Sequence, residues 1–253
     1  MTEIIAKNLG LTKDGATLLE GACFTLKPGQ LIALLGPNGA GKTSLIRTTL
    51  GMEKRCSGTV NLGGTDSEAL SPMERARRVA YLPQQRPLAW PNSVRDVVAL
   101  GRFAYGAAPG RLNPKDAKAV DTALELCDLT ELTTRHTDTL SGGEVARVHC
   151  ARAFAAEAPL LIADEPVAAL DPRQQFRIMN IIQAFVDRGG GALVVLHDIP
   201  LAAKYASHLI WMQDSRIAAE GTPEQTLTAQ RMADIYGVRA RIDGRKVEIE
   251  GAI

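Results

Sequence analysis

Leu31-Ile-Ala-Leu-Leu35 runs straight into Gly36-Pro-Asn-Gly-Ala-Gly-Lys-Thr43, and Ser44, Leu45 and Ile46 follow. A short apolar strand, a glycine-rich turn and a helix opening at Lys42 form the context that G-x-x-x-x-G-K-T requires. Three glycines let the turn Gly36, Pro37, Asn38, Gly39, Ala40, Gly41 aim its N–H groups, Pro37 excepted, at one anion. The helix N-terminus, with Ser44 in its first turn, adds partial positive charge. Lys42 can reach the β- and γ-phosphates, and the Thr43 hydroxyl can take a Mg²⁺ coordination position. With glycine averaging about 7% of residues, a chance match in a chain of this length is roughly a 1 in 100 event. The implied ligand is a nucleoside triphosphate.

Upstream, Ile4-Ile5 and Ala22–Leu26 read as strands, and Lys27-Pro-Gly29 as the turn before Leu31. Downstream, Gly58–Leu62 and Val79–Leu82 are strand-like, and Ser71-Pro72 with Glu74 marks a helix start. From about residue 86 the strand-like runs stop. Helical periodicity covers Ser93–Arg102, Pro114–Cys127 and Gly143–Ala156, with a glycine- and proline-containing loop at Phe103–Asn113. Leu160–Ala163 restores a buried strand, Pro172–Arg188 a long helix closed by three glycines, and Ala192–Leu196 another strand. A helix over Ile199–Tyr205 and a strand pair around Asp214-Ser215 follow. The tail from Gly221 predicts two small helices and a charged strand, Arg245–Glu250. Strands alternating with helices after such a turn predict an α/β fold with a mostly parallel sheet.

Two further strings carry chemistry. Leu160-Leu-Ile-Ala-Asp-Glu-Pro166 sets two carboxylates at the end of an apolar strand. Asp164 can hold Mg²⁺ through the metal's water shell, and Glu165 can orient or deprotonate an attacking water. An acidic pair capping a surface strand is the bland alternative, of near-even weight until the upstream phosphate turn is counted. Leu140-Ser-Gly-Gly-Glu144 offers a hydroxyl and glycine N–H groups at a helix start, the makings of a second anion site or of an ordinary loop.

The bulk properties limit the rest. Lys+Arg 29 against Asp+Glu 28 and 4% aromatics give no footprint for nucleic acid. Four cysteines without a C-x-x-C read as reduced, mostly buried thiols rather than a zinc site. Residues 1–20 are too charged for a signal peptide, and no apolar run approaches the roughly 20 residues that span a bilayer. The expectation is a soluble chain whose membrane spans, if any, belong to other subunits.

The glycine-rich turn, the Ser141-Gly142-Gly143 string and Asp164-Glu165, in this order, resemble the nucleotide-binding subunit of ATP-binding cassette (ABC) transporters over about residues 1–220. That resemblance implies a P-loop NTPase core with a mostly parallel sheet, an N-terminal antiparallel β subdomain and an inserted helical subdomain. The corresponding boundaries are 1–85 and 159–220 for the core, 86–158 for the helical subdomain and 221–253 for a short tail. It implies ATP and Mg²⁺, with Thr43, Gln84 and Asp164 around the metal and Lys42, Gln84, Glu165 and His197 as catalytic groups. Gln84 is preferred over Gln85 as the glutamine that senses the γ-phosphate. Asp171 matches a loop that crosses to the partner subunit, although Ala168 stands where a serine is usual. Ser141, Gly142 and Gly143 would contact ATP on the other subunit of a homodimer. Glu144 replaces the commoner glutamine, and no aromatic near Lys13 is available to stack on adenine.

The phrases Val79–Gln85, Val94–Arg102 and Ala219–Pro223 are similar to those of ferric-siderophore, haem and cobalamin importers. The implied partners are integral membrane permease subunits and, indirectly, a periplasmic or surface solute-binding protein, with the chain peripheral on the cytoplasmic face of the inner membrane. A lipid or lipopolysaccharide exporter and a non-transport cassette ATPase are the alternatives. Pro87, Leu88, Ala89 and Trp90 either form a groove for a partner's helix or pack inside the helical subdomain.

Overall fold

A computed structural model describes residues 2–84, 92–108 and 110–253; Gln85 and residues 87–90 lie outside the described set. Residues up to Ala69 give β1 (Ile4–Lys13), β2 (Ala16–Leu26), β3 (Leu31–Leu35), α1 (Lys42–Thr49), β4 (Ser57–Leu62) and β5 (Thr65–Asp66). The middle of the chain gives α2 (Pro72–Ala76), β6 (Val79–Leu82), α3 (Val94–Ala99), a 3-10 segment at Leu100–Tyr105, α4 (Pro114–Leu126), α5 (Gly142–Ala155), β7 (Leu160–Ala163) and α6 (Pro172–Asp187). The remainder gives β8 (Gly191–Val195), α7 (Ile199–Tyr205), β9 (His208–Gln213), β10 (Arg216–Gly221), α8 (Pro223–Thr226), α9 (Ala229–Tyr236), β11 (Val238–Asp243) and β12 (Lys246–Ala252). These pack as two units, the first from the chain up to Ala69 with Gly191–Ile253, the second Leu70–Gly190.

In the first unit an antiparallel sheet runs β2-β1-β4-β5. Asp14 and Gly15 both take positive φ, 51° and 78°, and form the two-residue turn that joins β1 to β2. Both strands extend well beyond the Ile4-Ile5 and Ala22–Leu26 runs read from the sequence. Polar Lys7 and Asn8 lie on the exposed face, and a register shift between Ala6 and Leu9 breaks the alternation that would have marked a strand. In the same unit β3 lies parallel to both β8 and β9, and β10 turns back antiparallel on β9. No residue of Leu31–Leu35 is more than 1% exposed, the continuous burial of a parallel strand covered on both faces.

The tail departs from its expected single strand. After α8 and α9 comes a hairpin of two strands, and Arg245 at its turn anchors it. Arg245 Nε donates to Glu224 Oε1 at 2.7 Å and Nη1 to the Ala206 carbonyl at 3.1 Å. The Arg245 hydrogen bond holds the Glu224 carboxyl down at about 2.

In the second unit β6 and β7 pair in parallel, and α5 packs against α3 and α4. Arg102, fully buried, ties this helical part together. Its Nε donates to Asp116 Oδ1 at 2.8 Å, its Nη1 to the Ala155 carbonyl at 2.9 Å and to Glu157 Oε2 at 2.8 Å. The guanidinium also lies 3.9 Å from the centre of the Tyr105 ring. Burying a charge is tolerable only with partners of this kind. α6 begins at an Asp171 cap, buries Ile178, Met179, Ile181, Ile182 and Val186, and stops before Gly189 at φ 93°.

The cysteines correct one expectation. Cys127 and Cys150 are buried, but Cys23 and Cys56 are exposed, and all four are free thiols. Burial pushes the Cys127 thiol well up, further from the reactive thiolate. A maleimide at neutral pH is therefore expected to label two cysteines of the folded protein rapidly and four after denaturation; rapid labelling of Cys127 in the folded state would contradict the packing.

Candidate nucleotide-binding and hydrolysis site

The first unit carries the phosphate turn between β3 and α1. Its glycines are demanded by close approach. A Cβ on Gly36 would fall 2.4 Å from the Met212 carbonyl oxygen, and one on Gly41 2.8 Å from that of Leu18. Gly41 caps α1 in the left-handed region at φ 97°, so the first N–H groups of the helix face the turn rather than a side-chain cap. The Lys42 side chain runs back over the turn, and Nζ donates to the Gly36 and Pro37 carbonyls at 2.7 and 2.8 Å. Lys42 is only 6% exposed, so its charge sits where few water molecules screen it. A tight glycine turn packed closely on the backbone of its neighbours, with its amides and one buried ammonium, fits a chain of phosphates.

β8 brings His197 alongside. Leu34 pairs with Val195, so His197 stands two residues past the pairing as Gly36 does on β3. His197 is exposed, and the next residue, Asp198, accepts from Leu201 N at 2.7 Å to cap α7. Tyr236 of α9 supports the same end of the sheet. Its ring meets Trp211 edge-on at 6.4 Å, and burial pushes its hydroxyl up to about 12, with the Gly36 backbone pulling the other way. No sequence pattern pointed to Tyr236; only the packing of the tail against β9 reveals it.

Lys13, at the end of β1, is engaged by charge. Its Nζ lies 3.5 Å from Glu53 Oε1, which also lies 3.9 Å from Arg47 Nη1.

The second unit carries the carboxylates. Asp164 is 2% exposed at the end of β7, and its N–H donates to the Leu82 carbonyl at 2.8 Å. Glu165 turns sharply out of the strand at φ 50°, a left-handed conformation that costs a non-glycine residue roughly 1 kcal/mol or more. Gln84, just past β6, donates Nε2 to Glu165 Oε2 at 2.7 Å. Residues 81 apart in sequence are thus joined by one hydrogen bond.

The same unit carries the Ser141-Gly142-Gly143 turn. Ser141 is exposed and caps α5, with its Oγ accepting from Glu144 N at 3.4 Å. Gly143 is buried, and a Cβ on it would fall 2.5 Å from the carboxamide of Gln174. Gln174 belongs to the first turn of α6, where Asp171 caps the helix by accepting from Gln174 N at 2.9 Å. Ala168 and Ala169, before that cap, are exposed, and Ala169 takes φ 60°. Of the other histidines, His149 is buried in α5, His136 is exposed, and His208 lies 4.0 Å from Glu220.

A strand–turn–helix phosphate cradle in the first unit and, in the second, a buried aspartate and an out-turned glutamate just past a parallel strand are the marks of a P-loop nucleotide-hydrolysing protein of the α/β class. The model of the ABC transporter family matches residues 19–168, and the chain belongs to that family. A hemin import ATP-binding protein from Pseudomonas entomophila (strain L48) is 39% identical over 92% of this chain and 91% of its own length. A protein of the same name from Rhizobium meliloti (strain 1021) is 35% identical over 94% and 93%. Among solved structures, a nucleotide-free ATP-binding cassette superimposes with a TM-score of 0.84 at 23% identity, covering 93% of this chain and 99% of its own. A chain of a metal-chelate type ABC transporter in an inward-facing conformation gives 0.82 at 21% identity, covering 98% and 96%. Among the described residues, no helix is long and apolar enough to cross a membrane.

Proposed function

We propose that this chain is the ATP-hydrolysing subunit of an importer for a metal chelate of the haem, ferric-siderophore or cobalamin class. It works as a homodimer on separate permease subunits at the cytoplasmic face of the inner membrane, and a periplasmic or surface solute-binding protein delivers the cargo. The hydrogen bond from Gln84 to Glu165 carries the hydrolytic half of this reading, because it holds a carboxylate in a strained, out-turned position suited to a base. The cargo half is supported by the hemin import relatives, which align over more than nine-tenths of the chain.

The P-loop residues Gly36, Pro37, Asn38, Gly39, Ala40, Gly41, Lys42, Thr43 and Ser44 bind the triphosphate. Thr43, Asp164 and Gln84 offer the hard oxygen donors that suit Mg²⁺, which when bound neutralises charge on the β- and γ-phosphates. Glu165 takes the proton from a water as its oxygen attacks the γ-phosphorus. The bond to the β-phosphate oxygen breaks in line, and ADP and phosphate leave. His197 hydrogen-bonds the γ-phosphate, Asp171 reaches across to the partner subunit, and Ser141, Gly142 and Gly143 close over the partner's ATP.

The test is reconstitution in lipid vesicles with candidate permease subunits. ATP-dependent uptake of haemin, a ferric siderophore or cobalamin, with hydrolysis stimulated by the same cargo, is the expected result. Stimulation by lipid or lipopolysaccharide alone would overturn the import reading.

Base selectivity follows from Lys13. With Lys13 paired to Glu53 and no ring at that position, ATP and GTP are expected to bind within about a hundredfold of each other. Lys13→Tyr is expected to tighten ATP several-fold, since an aromatic contact is worth roughly 1 kcal/mol. A wild-type preference for ATP above about a hundredfold would show that another side chain reads the base.

A further inference from the structure

The serine of the Ser141-Gly142-Gly143 turn is held by the chain's own carboxylate. Glu144 folds back over the start of α5, so that Oε2 accepts from Ser141 N at 2.8 Å and from Ser141 Oγ at 2.8 Å. These bonds, backbone first, hold the Glu144 carboxyl below its usual range, so it is ionised at neutral pH. A serine hydroxyl has one hydrogen to donate. Here that hydrogen points at an anion already in place at the helix N-terminus, the position in which a phosphate oxygen would be most favoured.

We infer that Glu144 is a positioning residue that restrains closure: it occupies the Ser141 hydroxyl and, by its charge, opposes the γ-phosphate that the hydroxyl must reach. The inference rests on the proposed closure of this turn over the partner's ATP. The chain needs more ATP to close than it would with a neutral side chain at 144, and the dimer parts more readily once phosphate is cleaved. An internal comparison separates this role from helix capping. Ser71 and Glu74 form the same box at α2, with Ser71 N and Oγ donating to Glu74 Oε2 at 2.8 and 2.7 Å. That box has no part in the proposed nucleotide chemistry.

The experiment uses the full chain carrying Glu165→Gln, to prevent hydrolysis, and measures the ATP concentration giving half-maximal dimer by mass in solution. Adding Glu144→Gln preserves the cap, because the amide oxygen accepts the same bonds, but removes the charge. The half-maximal ATP concentration is expected to fall about five- to tenfold, the difference between a charged and a neutral hydrogen bond. Glu144→Ala is expected to lower it as well. A purely capping role predicts no change with Gln and weaker closure with Ala, and that pattern overturns the inference. Glu74→Gln should leave the concentration unchanged; an equal fall there overturns the inference too. In the hydrolysing protein, Glu144→Gln is expected to lower KM for ATP by the same factor. Absence of dimer at any ATP concentration in Glu165→Gln alone would instead refute the closure reading, and this inference with it.

Discussion

Glu165→Gln protein is expected to bind ATP as tightly as the wild type and to hydrolyse it about 10²–10⁴-fold more slowly, the usual cost of losing a general base. The substitution is nearly isosteric, so the left-handed turn at φ 50° and the contact with Gln84 survive. The amide can present its oxygen to Gln84 Nε2 as the carboxylate does, but it cannot take a proton from water. Lys42→Ala should behave in the opposite way. That change removes the buried ammonium from the phosphate cradle, so nucleotide affinity falls before any chemistry is reached. The two variants therefore separate binding from hydrolysis, with equilibrium ATP binding and phosphate release as the measurements. Near-normal turnover in purified Glu165→Gln protein would remove Glu165 from its assigned role.

Much of this was legible in the chain because the informative segments are local and strongly patterned. Leu160–Ala163 and Val79–Leu82 form strands with the bounds read from their apolar runs. The Ser-x-x-Glu spacing at Ser71 and Ser141 announces helix starts, and both are capped in that way. The misses have physical reasons. β1 and β2 carry polar residues outward and a register shift, so only their most apolar pieces looked like strands. Val238–Asp243 does alternate, but with Arg239, Arg241 and Asp243 on its exposed face and half-buried residues on the other it buries too little to read as a strand. The Gln84–Glu165 bond joins residues brought together only by the pairing of β6 with β7. Gln174 beneath Gly143 depends likewise on α5 meeting α6, which no local pattern records.

The second large effect concerns Ser141. The phosphate turn ends at Thr43 and the glycine turn begins at Ser141, about a hundred residues later, and each belongs to a different packing unit. The proposed two-fold dimer gives both anion sites one purpose, because each nucleotide is then bound by one subunit's P-loop and covered by the partner's glycine turn. Such closure needs backbone at close range: Ser141 and Gly142 are exposed at the start of α5, where a long arginine side chain would stand between the turn and the partner's nucleotide. In the Glu165→Gln background, ATP should therefore produce a stable dimer, and adding Ser141→Arg should leave the protein monomeric at the same ATP concentration. Arginine also removes the α5 cap, which costs about 1 kcal/mol. Ser71→Arg at α2 supplies the control, since it loses the same kind of cap at a helix to which the proposed closure assigns no contact. The control should still dimerise, and ATP binding to the Ser141→Arg monomer should be unchanged because its own P-loop is intact. Equal masses for the Ser141→Arg protein and its parent at saturating ATP would rule out closure through this turn.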